Sequence, residues 1–228
     1  MTPPRRPTKQ RPPIAEPVFF LSYARATTLP LRTGGGRIDP AGEQRAFYLD
    51  LVTRVNQLVP RSAGAEVGFM DQDIEAGTRW SEELLRNLRG CRVFVAMLSP
   101  HYLARSQWCP MEWDFFARRE VRGAKGSTAQ PNATAIVPIL WAPVVTSMPA
   151  SVREAQRFTP PLVSLPEHKR LYESEGVLGL QHLDQGAYTT FVWNLARQIQ
   201  TMEADVDVLP STRRTVRGLR RTFGDGAR

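Results

Sequence analysis

The run Val93-Phe94-Val95-Ala96-Met97-Leu98 constrains this chain more than any other segment, because it is apolar at every position. A strand with one solvated face alternates apolar and polar residues, so an unbroken apolar run implies a strand covered on both faces. Sheets covered on both faces are built from parallel strands joined by helical crossovers. The rest of the chain fits that demand. Val18-Phe19-Phe20-Leu21 reads as a first strand, and Phe47, Leu51, Val55 and Leu58 then recur on one helical face that Pro60 stops. Glu66–Met70 reads as a second strand. Trp80, Leu84, Leu85 and Leu88 form a helical stripe, with Thr78 as its expected N-cap and Gly90 as its end. Beyond the central run, a helix is expected over Trp113–Arg122 and a strand over Thr134–Trp141, with Pro138 at a bulge or an edge. Val177–Leu183 reads as a last strand, and Phe191, Leu195, Ile199 and Met202 mark a closing helix. The expected fold is α/β: a five-stranded parallel sheet of flavodoxin-like order, flanked by helices.

Charge tempts one elsewhere. The 228 residues carry a formal net charge of +8, and a basic chain invites a nucleic-acid reading. Residues 1–16 hold +3 of it and residues 209–228 hold +5, so residues 17–208 are formally neutral. The first segment is Pro-rich without apolar periodicity and reads as a disordered basic leader. The last is Arg- and Gly-rich and reads as a basic tail, with a short helical stretch around Arg213–Phe223. The folded domain is therefore expected over residues 17–208, between two solvated tails whose other use would be to meet an acidic partner. Two cysteines, Cys91 and Cys109, make no disulfide framework, and no secretory signal is visible, so a cytoplasmic setting is expected. No apolar run reaches the roughly 18 residues of a membrane span.

In a doubly wound sheet the site lies beyond the carboxyl ends of the strands, near the point where strand order reverses. The residues to inspect are Ser22–Arg25, Asp71–Thr78, and the segment from Ser99. A phosphorelay receiver needs carboxylates at the first and third strand ends, where this chain has Ser22-Tyr23 and Ser99-Pro100. No Gly-x-x-x-x-Gly-Lys-Ser/Thr loop occurs, and no Gly-x-Gly-x-x-Gly follows the first strand. His101, His168 and His182 lack zinc spacing with either cysteine. Ser22 and Ser99 have no base paired in sequence to make a hydrolytic triad.

Three blocks carry a resemblance: PVFFLSYAR, then GFMDQDIEAGTRWSEELLRNLRGC, then RVFVAMLSPHYLARSQWCPMEW. In this order they resemble the Toll/interleukin-receptor (TIR) domain family, covering residues 17–120. The blocks match its first strand with a Ser-Tyr end, its acidic loop with Gly after the second strand, and a strand ending Leu-Ser-Pro before Ser-x-Trp-Cys-x-x-Glu. The variant looks bacterial and resembles the TIR-like proteins of actinobacterial peptide-modification clusters. The resemblance implies one of two activities. Many TIR domains cleave the nicotinamide–ribose bond of NAD⁺; others act as scaffolds through TIR–TIR self-association. It implies that Glu112 is the catalytic carboxylate and that Trp108 lines the nicotinamide side of the pocket. NAD⁺ would be the substrate, with no resident cofactor or metal, and other TIR domains would be the partners.

The chemistry is consistent with a single carboxylate. Nicotinamide in NAD⁺ is a cationic pyridinium that departs neutral, so it needs no general acid, unlike the leaving group of an O-glycoside. One carboxylate beside the ribose can stabilise an oxocarbenium-like centre. Trp108 and Glu112, four apart, would share one face of a helix whose first turn Pro110 marks. Ser22 and Tyr23 are expected to wall the pocket, and Arg25 reads either as a solvated loop arginine or as a partner for the diphosphate. Asp71, Asp73 and Glu75 before Gly77 read either as a turn leading into a helix or as an interaction loop that gates the site. His101 and Tyr102 read as peripheral.

Overall fold

In chain order the elements are β1 (Phe19–Ser22), α1 (Pro40–Leu58), β2 (Gly68–Met70), α2 (Glu82–Gly90), β3 (Val93–Leu98), α3 (Pro100–Ala104), α4 (Trp108–Ala117), β4 (Val121–Gly123), β5 (Ile136–Leu140), α5 (Ala150–Glu154), α6 (Pro166–Leu183), α7 (Gln185–Asp205) and β6 (Val206–Val208). This computed structural model describes residues 16–24, 40–61, 64–71, 81–124, 134–155 and 165–224. Residues 1–15 of the leader expected over residues 1–16 therefore lie outside the described residues.

Four strands form a parallel sheet in the order β2-β1-β3-β5, with Phe19 opposite both Gly68 and Val93, and Phe94 opposite Ile136. The order reverses between β1 and β3, as in a flavodoxin-like fold. The central run does what its composition demands. Val93, Val95 and Met97 enter one core, against α1, α6 and α7. Phe94, Ala96 and Leu98 enter the other, against α2 and α4. Pro138 lies opposite Ala96 in β5, at the edge of the sheet, where a missing N–H is tolerated. α2 is capped by Ser81, whose hydroxyl accepts from the Leu84 N–H. Thr78, the expected cap, lies outside the described residues.

Three expectations are corrected. Val177–Leu183 is not a fifth strand but the end of α6, so the parallel sheet has four strands among the described residues. Its apolar residues bury at i and i+3, Val177 and Leu180, which is a helical spacing that a short apolar run conceals. The helix expected over Trp113–Arg122 begins at Trp108 and ends at Ala117, while Arg122 sits in β4, which pairs antiparallel with β6. No helix forms over Arg213–Phe223. The segment after β6 turns at Gly218 (φ 76°) and lays Leu219 and Phe223 into the α2–α4 core. It runs on the domain as a docked strap.

Candidate functional site

Ser22 is the last residue of β1 and is buried at the point where strand order reverses. Its hydroxyl donates to Glu112 Oε2 at 2.5 Å. The Tyr102 hydroxyl lies 3.0 Å from Ser22 Oγ. A serine has one proton to give, and with it committed to the carboxylate, Tyr102 must be the donor in that second bond. Tyr102, Ser22 and Glu112 thus form a directed chain of hydrogen bonds at the carboxyl end of the sheet.

Each member is placed by local structure. Ser99 caps α3, accepting from the Tyr102 N–H at 3.1 Å and fixing the tyrosine in the first turn. Ser106 Oγ accepts from the N–H groups of Trp108 and Cys109, a capping contact that starts α4 and puts Glu112 in its second turn. Cys109, packed between, donates to the Tyr23 carbonyl at 3.4 Å. The Tyr23 hydroxyl reaches the Asp71 carbonyl at 2.7 Å, joining the ends of β1 and β2. Burial pushes the Tyr102 hydroxyl well above its ordinary pKa, and the nearby Cys109 and Glu112 add to the shift. Burial does the same to the Cys109 thiol, reinforced by Glu112. Both groups stay protonated, so Tyr102 is a donor throughout the physiological range.

Of the candidate residues, the fold brings Ser22, Tyr23 and Glu112 to the switch point, with Asp71 at the neighbouring end of β2 where its carbonyl accepts from the Tyr23 hydroxyl. Arg25, Asp73, Glu75 and Gly77 lie outside the described residues. Trp108 shares α4 with Glu112 but lines a different space. Its cavity, about 430 Å³, is bounded by Leu85, Gln107, Met111, Thr215, Val216 and Arg221, and Glu112 is not on its wall. A spacing of four puts two residues on one helical stripe, yet the neighbouring elements divide that stripe between two environments. Tyr102, read as peripheral, is fully buried and central. The Ser-x-x-Tyr spacing after the central strand, an N-cap followed by the residue it caps, was the available signal.

A flavodoxin-like α/β domain with a buried carboxylate at its switch point is a class shared by many activities. The TIR domain family model matches residues 44–159, just over half of the chain, and the chain belongs to the TIR domain family. That match contains Trp108 and Glu112 and leaves β1 with Ser22 outside it. Neither a curated protein nor a solved structure matches the chain. TIR domains act in general through association with other TIR domains, and no described helix is long and apolar enough to cross a membrane.

Proposed function

We propose that this TIR domain is an NAD⁺ glycohydrolase acting in the cytoplasm of a bacterium, as part of a signalling or defence system, with Glu112 as its catalytic carboxylate. The observation that supports this most is the seat of Glu112: one carboxylate, at the switch point of a parallel sheet, oriented by Ser22 at 2.5 Å. In the reaction, the electron pair of the N-glycosidic bond leaves with nicotinamide, which becomes neutral. Water then supplies the hydroxyl at the ribose carbon and loses a proton. Glu112 would stabilise the cationic centre between those events and hold the ribose hydroxyls. Ser22, Tyr23 and Arg25 are the proposed substrate-binding residues, with NAD⁺ as substrate and no resident cofactor; Trp108, which lines the neighbouring cavity, is left out of the set. Incubating the purified chain with NAD⁺ under assembly-promoting conditions should release nicotinamide. Glu112→Ala should lower that rate by about 100-fold or more. Undiminished release from Glu112→Ala, or none from the unmodified protein, would overturn the reading.

One observation favours the second reading, a non-catalytic scaffold working by TIR–TIR self-association. Glu112 is only 6% exposed, with one oxygen already engaged by Ser22. Such a scaffold would use the loop containing Asp71, Asp73, Glu75 and Gly77 as its contact. It predicts concentration-dependent oligomers by light scattering that Asp73→Lys disperses; a monomer at all concentrations counts against it.

A further inference from the structure

We propose that Phe223, far along the C-terminal strap, is a positioning residue for Glu112, acting through Tyr102 and Ser22. The catalytic part of this inference rests on the glycohydrolase reading; the mechanical part does not.

The strap is seated by specific contacts. The Arg119 guanidinium donates to the carbonyls of Val208 and Leu209 on the strap side, and to those of Leu88 and Cys91 on the domain side. Arg89 Nε donates to the Ser211 carbonyl at 3.1 Å. Past the turn at Gly218, whose carbonyl accepts from Arg118, the Arg220 N–H donates to Asp114 of α4 at 3.0 Å. These anchors deliver Phe223 to one place. Its ring lies on Tyr102 with centroids 5.5 Å apart and planes 25° from parallel, and meets Trp113 edge-on at 5.8 Å.

Tyr102 has therefore one face covered by Phe223 and its hydroxyl on Ser22, whose proton goes to Glu112. Phe223 also borders a cavity of about 540 Å³, walled in addition by Trp113, Asp114 and Arg220. Removing the ring joins the vacated space to that cavity. Tyr102 then loses the surface that presses its hydroxyl towards Ser22, and the Ser22–Glu112 bond loses the donor that orients it. Packed rings hold geometry because a small gap already forfeits much of their contact energy.

The test uses the full chain and a double-mutant cycle of Phe223→Ala with Ser22→Ala. Nicotinamide release is one readout. The other is the carbon-13 resonance of the Glu112 side-chain carboxyl, assigned by its loss in Glu112→Gln. Phe223→Ala should lower kcat about tenfold with KM changed by less than about twofold, and should move the Glu112 resonance. In the Ser22→Ala background Phe223→Ala should add nothing to either. Phe223→Tyr, which keeps the ring, should retain both. Phe223→Leu, which keeps apolar bulk and so the seated strap, should behave like the alanine variant. Effects that add in the two backgrounds, or a Glu112 resonance indifferent to Phe223, would overturn the proposal. If the unmodified protein releases no nicotinamide, the glycohydrolase reading falls, and the resonance cycle still decides whether Phe223 positions Glu112.

Discussion

Cys91 is fully buried beside Arg119, and its surroundings pull its thiol in opposite directions. Burial dominates and pushes the pKa from 9.0 up to about 12, while the Arg119 charge and hydrogen bond draw it back in part. In the unfolded chain the thiol ionises near its ordinary value, so above about pH 9 the unfolded state sheds a proton that the folded state keeps. The contribution of Cys91 to stability is complete below pH 9 and is lost as pH rises towards 12. Urea unfolding measured from pH 8 to 11.5 should give a falling free energy across this window, and Cys91→Ala should flatten that fall. An identical slope in the variant would mean that other groups carry it. At this scale Glu112 and Trp108 were legible as candidates, because a short motif with fixed spacing lists its own members. Tyr102 was not, because its partner Ser22 lies 80 positions away and only the sheet brings them together. The division of Trp108 from Glu112 was equally hidden, since it depends on what packs against α4 rather than on α4 itself.

Elements were easiest to read where burial leaves a one-dimensional trace. β1, β3 and β5 are short apolar runs bounded by Pro, Gly or polar residues, and α1 and α7 repeat their apolar residues at helical spacing. The failure at Val177–Leu183 has a physical cause at Gly176, which breaks α6 with φ 71° and ψ −168°. A Cβ there would meet the Trp141 carbonyl oxygen at 2.6 Å, so only glycine lets the chain pass the end of β5 so closely. The next turn is then tied back by Leu178 N–H to the same carbonyl at 3.0 Å. Gly176→Ala carries both the φ penalty and the clash, and is expected to cost about 2 kcal/mol or more of unfolding free energy. Gly186→Ala is its comparison, in the first turn of α7, where a Cβ would come no nearer than 3.4 Å to another atom. Equal losses for the two variants in chemical denaturation would argue that the backbone conformation at Gly176 carries no strain.

For the whole molecule, the notable shift is in what the positive charge is attached to. The basic C-terminal residues were legible as a charge run, but the seating of Leu219 and Phe223 among them was not, because two isolated apolar residues leave no periodicity. The seat depends on Arg119, a mostly buried cation bonded to four backbone carbonyls on both sides of the junction. Arg119→Met leaves those carbonyls without their donor and should lower stability by about 3 kcal/mol. It should also release the strap first. Limited trypsin digestion should cut the variant at Arg213–Arg221 much faster than the unmodified chain, with the α/β core persisting. Equal cleavage rates would mean that Arg119 does not hold the strap.

The stacking of Phe223 on Tyr102 also sets an order of events during synthesis. A ribosome makes the chain from its amino terminus, so every strand of the parallel sheet is available to fold before Phe223 exists. The 111 positions added after Glu112, up to and including Phe223, take about 6 to 22 s to translate at ~5–20 residues per second. Throughout that interval the nascent domain holds Ser22 and Glu112 without the ring that braces Tyr102. On the proposed glycohydrolase reading, Glu112 would thereby stay without its brace until Phe223 itself had left the ribosome.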